Sequence, residues 1–130
     1  MKLVTLFAAS ALSMMAGFAS ADNHGKYYGT PAPTDAGYEM LADAKGMILY
    51  TFDNDEHEVS KCYGGCEADW SPFYAKSEAV PYGHFTLHKR TDDSYQWVWQ
   101  GKPLYYWRGD KNPGDKGGDG MGGLWHVVHR

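Results

Sequence analysis

Hydrophobic and polar residues alternate along most of the chain with a period of two, which predicts β-strands rather than helices. Three aromatic residues share one face of the clearest strand: Tyr95, Trp97 and Trp99. A turn at residues 91–94 joins this strand to another at 85–90, so the two predict a hairpin. No segment has the 3.6-residue period of a long amphipathic helix, although residues 66–70 have room for one helical turn. The pattern predicts an all-β fold.

The same pattern occurs twice, 55 residues apart. The matched positions are Gly46, Leu49, Tyr50, Phe52 and Asp55 in the first copy and Gly101, Leu104, Tyr105, Trp107 and Asp110 in the second. In each copy the tyrosine and the next aromatic residue share one face, and the leucine points to the other. A repeated unit usually buries its apolar face against its twin. We therefore predict a single small domain of two related β-meander repeats, at about 38–75 and about 85–130.

The first 21 residues have the pattern of a secretion signal. One basic residue, Lys2, precedes an apolar run at 3–18, and the small residues at 19–21 suit a signal peptidase. The run is short for a bilayer core of roughly 30 Å, so we expect cleavage rather than anchoring. Residues 22–37 are predicted to form an extended N-terminal arm without packing, followed by the repeat domain at 38–130.

Charge and compartment narrow the range of partners. Loss of Lys2 with the signal leaves 11 of the 12 basic residues against 16 acidic ones. This acidic balance disfavours nucleic acid and anionic membranes, since both need a basic face. We expect a periplasmic or secreted protein with no membrane span after processing.

The chain has two cysteines, Cys62 and Cys66. In an oxidising compartment we expect a disulfide that closes one short loop, because Gly64 and Gly65 let the backbone fold back. The alternatives are a thiol redox pair or a pair of thiolates that delivers Cu(I). The spacing differs from that of heme-attachment and thioredoxin motifs.

Cleavage after residue 21 would also create a candidate metal site at the new amino terminus. The α-amine, two backbone amides and an imidazole of Asp22, Asn23 and His24 would provide four nitrogens in a square plane, a geometry suited to Cu(II) or Ni(II). Copper is therefore the cofactor that the sequence favours. The glycine-rich loop at 109–123 lacks the acid spacing of an EF-hand, so we predict a solvated loop there.

Acidic and aromatic residues supply the remaining candidates. Asp55 and Asp110 each follow a predicted strand, where a carboxylate can accept backbone N–H bonds and close the turn. Four adjacent acids are expected to be a solvated cluster rather than a general acid/base pair: Asp53, Asp55, Glu56 and Glu58. We expect the tryptophans to fill the core and Tyr106, on the opposite face, to be available to a ligand. Sequence motifs for catalysis are absent, which disfavours an enzyme.

Together these motifs resemble a known family. The Gly-x-x-Leu-Tyr-x-(Phe/Trp)-x-x-Asp repeat, the cysteine loop followed by Trp-Ser-Pro at 70–72, and the final loop closing on 123–127 are similar to the secreted-repeat or predicted-lipoprotein family with the Tyr-x-(Phe/Trp/Tyr)-x-x-Asp motif. The resemblance spans about 38–128. It implies export and paired repeats, and it implies no catalytic residues because the family has no established activity. The chain has no lipobox cysteine, so we expect a free protein.

These observations predict an exported, non-catalytic β-repeat protein that acts by binding. The ligand would be a metal ion at Asp22, Asn23 and His24, or a protein partner in the cell envelope. The alternatives are a thiol redox or copper-delivery protein that uses Cys62 and Cys66, and an envelope protein-interaction module. Two changes distinguish the metal hypotheses. A residue added before Asp22 would remove the terminal site, whereas Cys62→Ser would remove the thiolate site.

Overall fold

A computed structural model describes residues 26–33 and 36–130. Its strands are β1 (Tyr50–Phe52), β2 (Tyr74–Ala75), β3 (Phe85–Lys89), β4 (Tyr95–Trp99), β5 (Lys102–Pro103) and β6 (Trp125–Val127). A five-residue helix, α1 (Gly65–Asp69), lies where one helical turn was predicted, and a 3-10 turn (Met121–Gly123) precedes β6. The all-β prediction is confirmed. Within the described ranges, no helix has the length and apolar character needed to cross a membrane.

The larger sheet has the order β2–β4–β3, and β5 also pairs with β4. The predicted hairpin is present as β3 and β4, with Phe85 opposite Trp99. The aromatic face predicted for β4 packs into one cluster, and the opposite face is covered as well, because Gln96 and Val98 are buried. Trp97 packs into an apolar cluster, whereas Gln96, on the other face, makes hydrogen bonds inside the protein. A central strand covered on both faces explains this burial.

The smaller sheet shows how the repeats interlock. Strand β1 of the first repeat pairs antiparallel with β6 of the second, so that Tyr50 lies opposite Val127. In the same way, Tyr105 of the second repeat lies opposite Pro72 at the end of the first. Between them, Tyr50 and Tyr105 donate their backbone N–H groups to each other's carbonyls, at 2.8 and 2.9 Å. Equivalent residues therefore meet around a local pseudo-twofold axis, and each repeat completes the other.

The second copy of the motif is less regular than the first. It forms a strand only at β5, and Tyr105 makes isolated bridges. Pro72 stands where the first copy has Val127, and the bonds beside it run from the Phe73 N–H to the Leu104 carbonyl at 2.9 Å and from the Tyr106 N–H to the Ser71 carbonyl at 2.8 Å. The equivalence continues in the next hydrogen bonds, where Asp53 N–H donates to the Leu124 carbonyl at 2.8 Å. Its counterpart runs from the Arg108 N–H to the Asp69 carbonyl at 2.9 Å, with donor and acceptor each displaced by 55 residues.

Among the residues that the structure describes, the interior has two apolar clusters, one on each side of the motif. Leu49 and Leu104 lie in the cluster that contains Trp97, and both are fully buried. Tyr50 and Tyr105 lie in the other cluster. The two faces predicted for the motif are therefore the faces that the structure uses.

The N-terminal segment differs from the expectation of an arm without packing. Tyr28 pairs with Tyr74, Pro31 pairs with Asp43, and Ala32 is buried. Residues 26–33 are therefore extended but packed along the repeat domain. The predicted signal peptide at 1–21 and the predicted metal ligands Asp22, Asn23 and His24 lie outside the described residues.

Candidate functional site

The repeated tyrosines and aspartates form hydrogen bonds between the two repeats. The Tyr50 hydroxyl donates to Oδ2 of Asp110 at 2.6 Å, and the Tyr105 hydroxyl donates to Oδ2 of Asp55 at 2.7 Å. Such short O–H···O contacts are typical of a phenol bound to an ionised carboxylate. The tyrosine of each copy thus bonds the aspartate of the other copy and not the aspartate five residues further along its own.

The second oxygen of each aspartate binds the backbone. Oδ1 of Asp55 accepts the Lys61 N–H at 2.7 Å, and Oδ1 of Asp110 accepts the Gly117 N–H at 2.9 Å. The sequence suggested this backbone role but placed it in the turn directly after the strand. In the structure the bonded N–H lies six or seven residues further on, so each aspartate closes a whole loop and also holds the opposite repeat.

Burial sets the electrostatics of these pairs. The pKa of Tyr50 and that of Tyr105 are raised, first by burial and then by the neighbouring carboxylates, so both phenols stay protonated. Burial also raises the pKa of Asp55, although the Lys61 N–H and the Tyr105 hydroxyl oppose the shift. The expectation that the acids at 53–58 would form one solvated cluster is therefore wrong for Asp55. Asp53 and Glu56 are exposed, as expected.

Four aromatic rings form a stack across the same axis, which we call the aromatic column: Phe52, Trp125, Trp70 and Trp107. Centroid distances along the column are 4.1, 3.8 and 4.6 Å, and the two central indoles are parallel within 1°. Tyr50 meets Trp70 edge-on and Tyr105 meets Trp125 edge-on, each at 5.2 Å. The 55-residue offset places one indole of each repeat at the centre. It also makes Phe52 and Trp107 the two matching ends.

The glycine-rich loop at 109–123 packs against one end of this column. A Cβ added to Gly118 would lie 2.6 Å from Trp70 and 3.0 Å from Trp107, and one added to Gly109 would lie 2.3 Å from Trp107. Only glycine allows such close approach at these two positions. The loop is exposed on its outer side, as predicted, but its glycines also pack against Trp107, which stays half-buried.

A buried arginine joins the motif to the cysteine loop. The side chain of Arg90 is completely buried, and one of its terminal nitrogens donates to Ser60 and Gln96 at 3.0 and 2.8 Å. The other donates to the Cys62 carbonyl at 2.7 Å and to Glu67 at 2.9 Å. Ser60 Oγ in turn lies 2.6 Å from the Tyr105 hydroxyl. Because these bonds join residues 60–62, α1 and β4, Arg90 organises this side of the protein.

The cysteines form the predicted disulfide, with a Cα–Cα distance of 5.3 Å. Cys62 is completely buried, and Cys66 is half-buried at the start of α1. Burial of Cys62 limits access for an exchanging thiol. This geometry favours the structural role over the redox and copper-delivery alternatives.

The structure predicts a pH effect at His88. Its pKa is lowered, first by burial and then by the Arg90 charge, and its Nε2 accepts the Ser60 N–H at 3.3 Å. Below pH about 6.5 the unfolded chain gains a proton that the folded protein does not, so stability should fall as pH decreases. We expect His88→Gln to reduce the loss seen by urea unfolding between about pH 7.5 and 5.5. The matched control is exposed His84→Gln, and an unchanged loss in His88→Gln would contradict the assignment.

An apolar cleft with a volume of about 330 Å³ lies beside the N-terminal segment. We call it the tyrosine cleft, and its principal lining residues are Tyr27, Tyr28, Lys45, Lys76, Ala79 and Trp97. Three backbone hydrogen bonds hold the N-terminal segment in place: from Gly29 N–H to the Tyr74 carbonyl at 3.1 Å, from Ala32 N–H to the Ala42 carbonyl at 3.0 Å, and from Ala44 N–H to the Thr30 carbonyl at 2.8 Å. The Trp97 indole N–H also donates to the Gly29 carbonyl, at 2.9 Å.

The sequence suggested that Tyr106 is available to a ligand, but the structure shows that its side chain is engaged inside the protein. Its hydroxyl donates to Oδ2 of Asp43 at 2.7 Å, and its ring packs edge-on against Phe73. Burial and the Asp43 contact raise the pKa of its phenol. Asp43 was missed in the sequence, although a lone acid between apolar residues in a strand-like segment is a usable signal for a buried partner.

Metal-binding groups are dispersed over the part of the chain that the structure describes. At 26–33 and 36–130, no three His, Cys, Asp or Glu side chains converge on a common point. His126 Nε2 lies 2.9 Å from Asp53 Oδ2, which is an isolated pair on the surface. The terminal site predicted from Asp22, Asn23 and His24 remains a prediction.

Comparison with protein families decides the relationship. The model of a family described as a secreted repeat of unknown function matches residues 34–74 and 86–129. The chain belongs to this secreted-repeat family. The resemblance found in the motifs and the pair of repeats are thereby confirmed, and the protein is an exported one. Searches of the curated proteins and of the solved structures each found no match.

Membership of the secreted-repeat family directs attention to the residues that recur in both copies. The structure brings these residues together at the pseudo-twofold axis, as the Tyr–Asp pairs and the aromatic column. The tyrosine cleft, by contrast, is formed by residues outside the repeated motif. The framework of repeated residues and the cleft are thus distinct features of one small domain.

Proposed function

We propose that the protein is an exported, non-catalytic binding protein whose ligand site is the tyrosine cleft. The observation that carries this proposal is a cleft of about 330 Å³ with mainly apolar walls and a few charged groups at its rim. Small-molecule sites are typically concave and apolar with a few polar groups that orient the ligand. Because hydrogen bonds already hold the N-terminal segment against the sheet, the cleft needs little rearrangement to accept a small molecule.

The lining residues favour a flat apolar ligand with a negative charge. Tyr27 and Tyr28 remain 44% and 37% exposed, so their rings are accessible for stacking. Lys45 lies over the Tyr27 ring, with Nζ 4.9 Å from the centroid, and Lys76 stands on the same rim. Together with Glu78 these groups leave one excess positive charge, which complements a single carboxylate or sulfonate.

The test uses 8-anilinonaphthalene-1-sulfonate, a flat apolar anion, as the probe. We expect saturable binding with NMR shifts that centre on Tyr27, Lys45 and Trp97. Tyr27→Ala should weaken binding roughly fivefold, equivalent to about 1 kcal/mol for one aromatic contact. Tyr38 is 43% exposed outside the cleft, so Tyr38→Ala is the matched control. Equal effects of the two substitutions, or shifts elsewhere, would refute the cleft as the site.

A second candidate is Cu(II) or Ni(II) binding at a processed terminus, in a periplasmic setting. It rests on the sequence of Asp22, Asn23 and His24 and on export of the protein. Intact mass and metal content of the secreted chain after Cu(II) addition test it directly. One bound copper that disappears when a residue is added before Asp22 would support the site, and a processed terminus elsewhere would remove it.

A further inference from the structure

Packing alone does not explain the residue types in the Tyr–Asp pairs and the aromatic column. A phenylalanine opposite an apolar residue would fill the same space without removing a carboxylate from water. The chain instead places a phenol on a carboxylate twice, once for each repeat. It also puts each of these phenols edge-on against a stacked indole.

The side chains in contact are those that lose an electron most easily in proteins, the indole and the phenol. From Trp107 the rings follow in series through Trp70 at 4.6 Å and on to Tyr50 at 5.2 Å. A branch passes from Trp70 to Trp125 at 3.8 Å and then to Tyr105 at 5.2 Å. Each step joins neighbouring rings in contact, which is the arrangement that favours electron transfer between side chains.

We propose that the aromatic column carries an electron from Tyr50 or Tyr105 to a one-electron oxidant that meets the protein at Trp107. The oxidant, an oxygen-derived radical of the extracytoplasmic space, takes one electron from Trp107 and leaves an indole radical cation. An electron then moves from Tyr50 through Trp70 to Trp107, and the phenolic proton of Tyr50 moves to Oδ2 of Asp110. The products are the reduced oxidant, a neutral tyrosyl radical and a protonated carboxyl.

The carboxylates make this final step feasible. A phenol that loses an electron becomes strongly acidic, and it needs a base within hydrogen-bond reach. Asp110 lies 2.6 Å from the Tyr50 hydroxyl, and Asp55 lies 2.7 Å from that of Tyr105. A one-electron reductant such as a thiol or an enediol then restores the tyrosine, and the carboxyl returns its proton. The protein acts as a sink for radicals.

The one aromatic difference between the copies gives the column a direction. Its ends are Phe52 and Trp107, at matching positions of the motif. A phenyl ring is much harder to oxidise than an indole, so electron loss begins at the Trp107 end. Trp107 is half-buried, whereas Trp70 and Trp125 are almost fully buried, which leaves Trp107 as the indole of the column that meets solvent.

The experiment generates azide radicals by pulse radiolysis, because these oxidise indoles in preference to phenols. In the wild-type protein the indolyl absorbance should convert to tyrosyl absorbance at a rate independent of protein concentration. The conversion should be slower in D₂O, since a proton moves with the electron. Tyr50→Phe combined with Tyr105→Phe should abolish it, and Trp107→Phe should reduce its amplitude at least severalfold. Tyr38→Phe, at an exposed tyrosine outside the column, should leave it unchanged.

Two outcomes would overturn the proposal. The first is that the indolyl radical of the wild-type protein decays only when two molecules meet, at a rate that depends on protein concentration. This outcome is measured on the wild-type protein alone. The second is undiminished tyrosyl formation in the Tyr50→Phe and Tyr105→Phe double variant, which would assign the radical to other tyrosines. Near-UV circular dichroism establishes that each variant is folded. Asp110→Asn, which keeps an acceptor but removes the base, should slow electron transfer from Tyr50 in a folded protein.

Discussion

Replacement of Arg90 by methionine should lower the free energy of unfolding by about 3 kcal/mol, the range found when one member of a buried ionic network is removed. Methionine retains the apolar length of the side chain but none of its donors. The Cys62 carbonyl and the Gln96 side-chain oxygen would then lose donors at 2.7 and 2.8 Å inside the protein. Unsatisfied buried acceptors carry most of the expected loss. Urea unfolding followed by far-UV circular dichroism measures it.

The control is Glu67→Gln, which removes the charge that faces Arg90. The Glu67 side chain is 30% exposed, so water supports its charge and the change should lower stability by only roughly 1 kcal/mol. A loss for Arg90→Met no greater than that for Glu67→Gln would mean that the Glu67 ion pair, rather than the bonds to the cysteine loop, accounts for the role of Arg90.

The repeat was visible in the sequence because identical residue types recur at a constant offset. Gly46 and Gly101 show why such matches are reliable: both have φ near +85°, at 88° and 84°, a conformation that favours glycine. The pattern of two faces around Leu49 and Tyr50 was predictable for a related reason. A strand places alternate side chains on opposite sides whatever its partner is.

The partner of each strand was not predictable from the same pattern. Matching residues establish which positions are equivalent, but two copies can pair within themselves or with each other. The hydrogen bonds of Asp55 and Asp110 depend on this choice. A turn-closing role follows from local chain geometry, whereas a bond to the tyrosine of the other repeat requires knowledge of the tertiary arrangement.

Arg90 and the tyrosine cleft were missed for different physical reasons. Arg90 directly follows β3 and precedes a polar turn, a context typical of a solvated residue. Its burial depends on Ser60 and Gln96, which come from separate segments. The cleft was missed because the glycines and prolines of residues 22–37 indicated an extended arm, and local composition does not reveal hydrogen bonds to distant segments.

Trp70→Ala should lower the free energy of unfolding by about 4 kcal/mol, since truncation of a buried aromatic residue removes apolar contacts and leaves a cavity. Trp70 is 5% exposed and touches both Trp125 and Trp107 in the column. The control is Trp99→Ala, because Trp99 is half-buried and lies outside the column. We expect Trp99→Ala to have roughly half the effect. Urea unfolding followed by tyrosine and tryptophan fluorescence measures both.

The shape of the unfolding curve distinguishes interlocked repeats from independent ones. Trp70 belongs to the first repeat, but β1 pairs with β6 of the second, and Tyr105 pairs with Pro72 of the first. Unfolding of either repeat therefore removes a strand partner from the other. We expect Trp70→Ala to shift one cooperative transition, with circular dichroism and fluorescence coinciding. Two separate transitions, with the second repeat surviving the first, would contradict the exchange of strands that builds this fold.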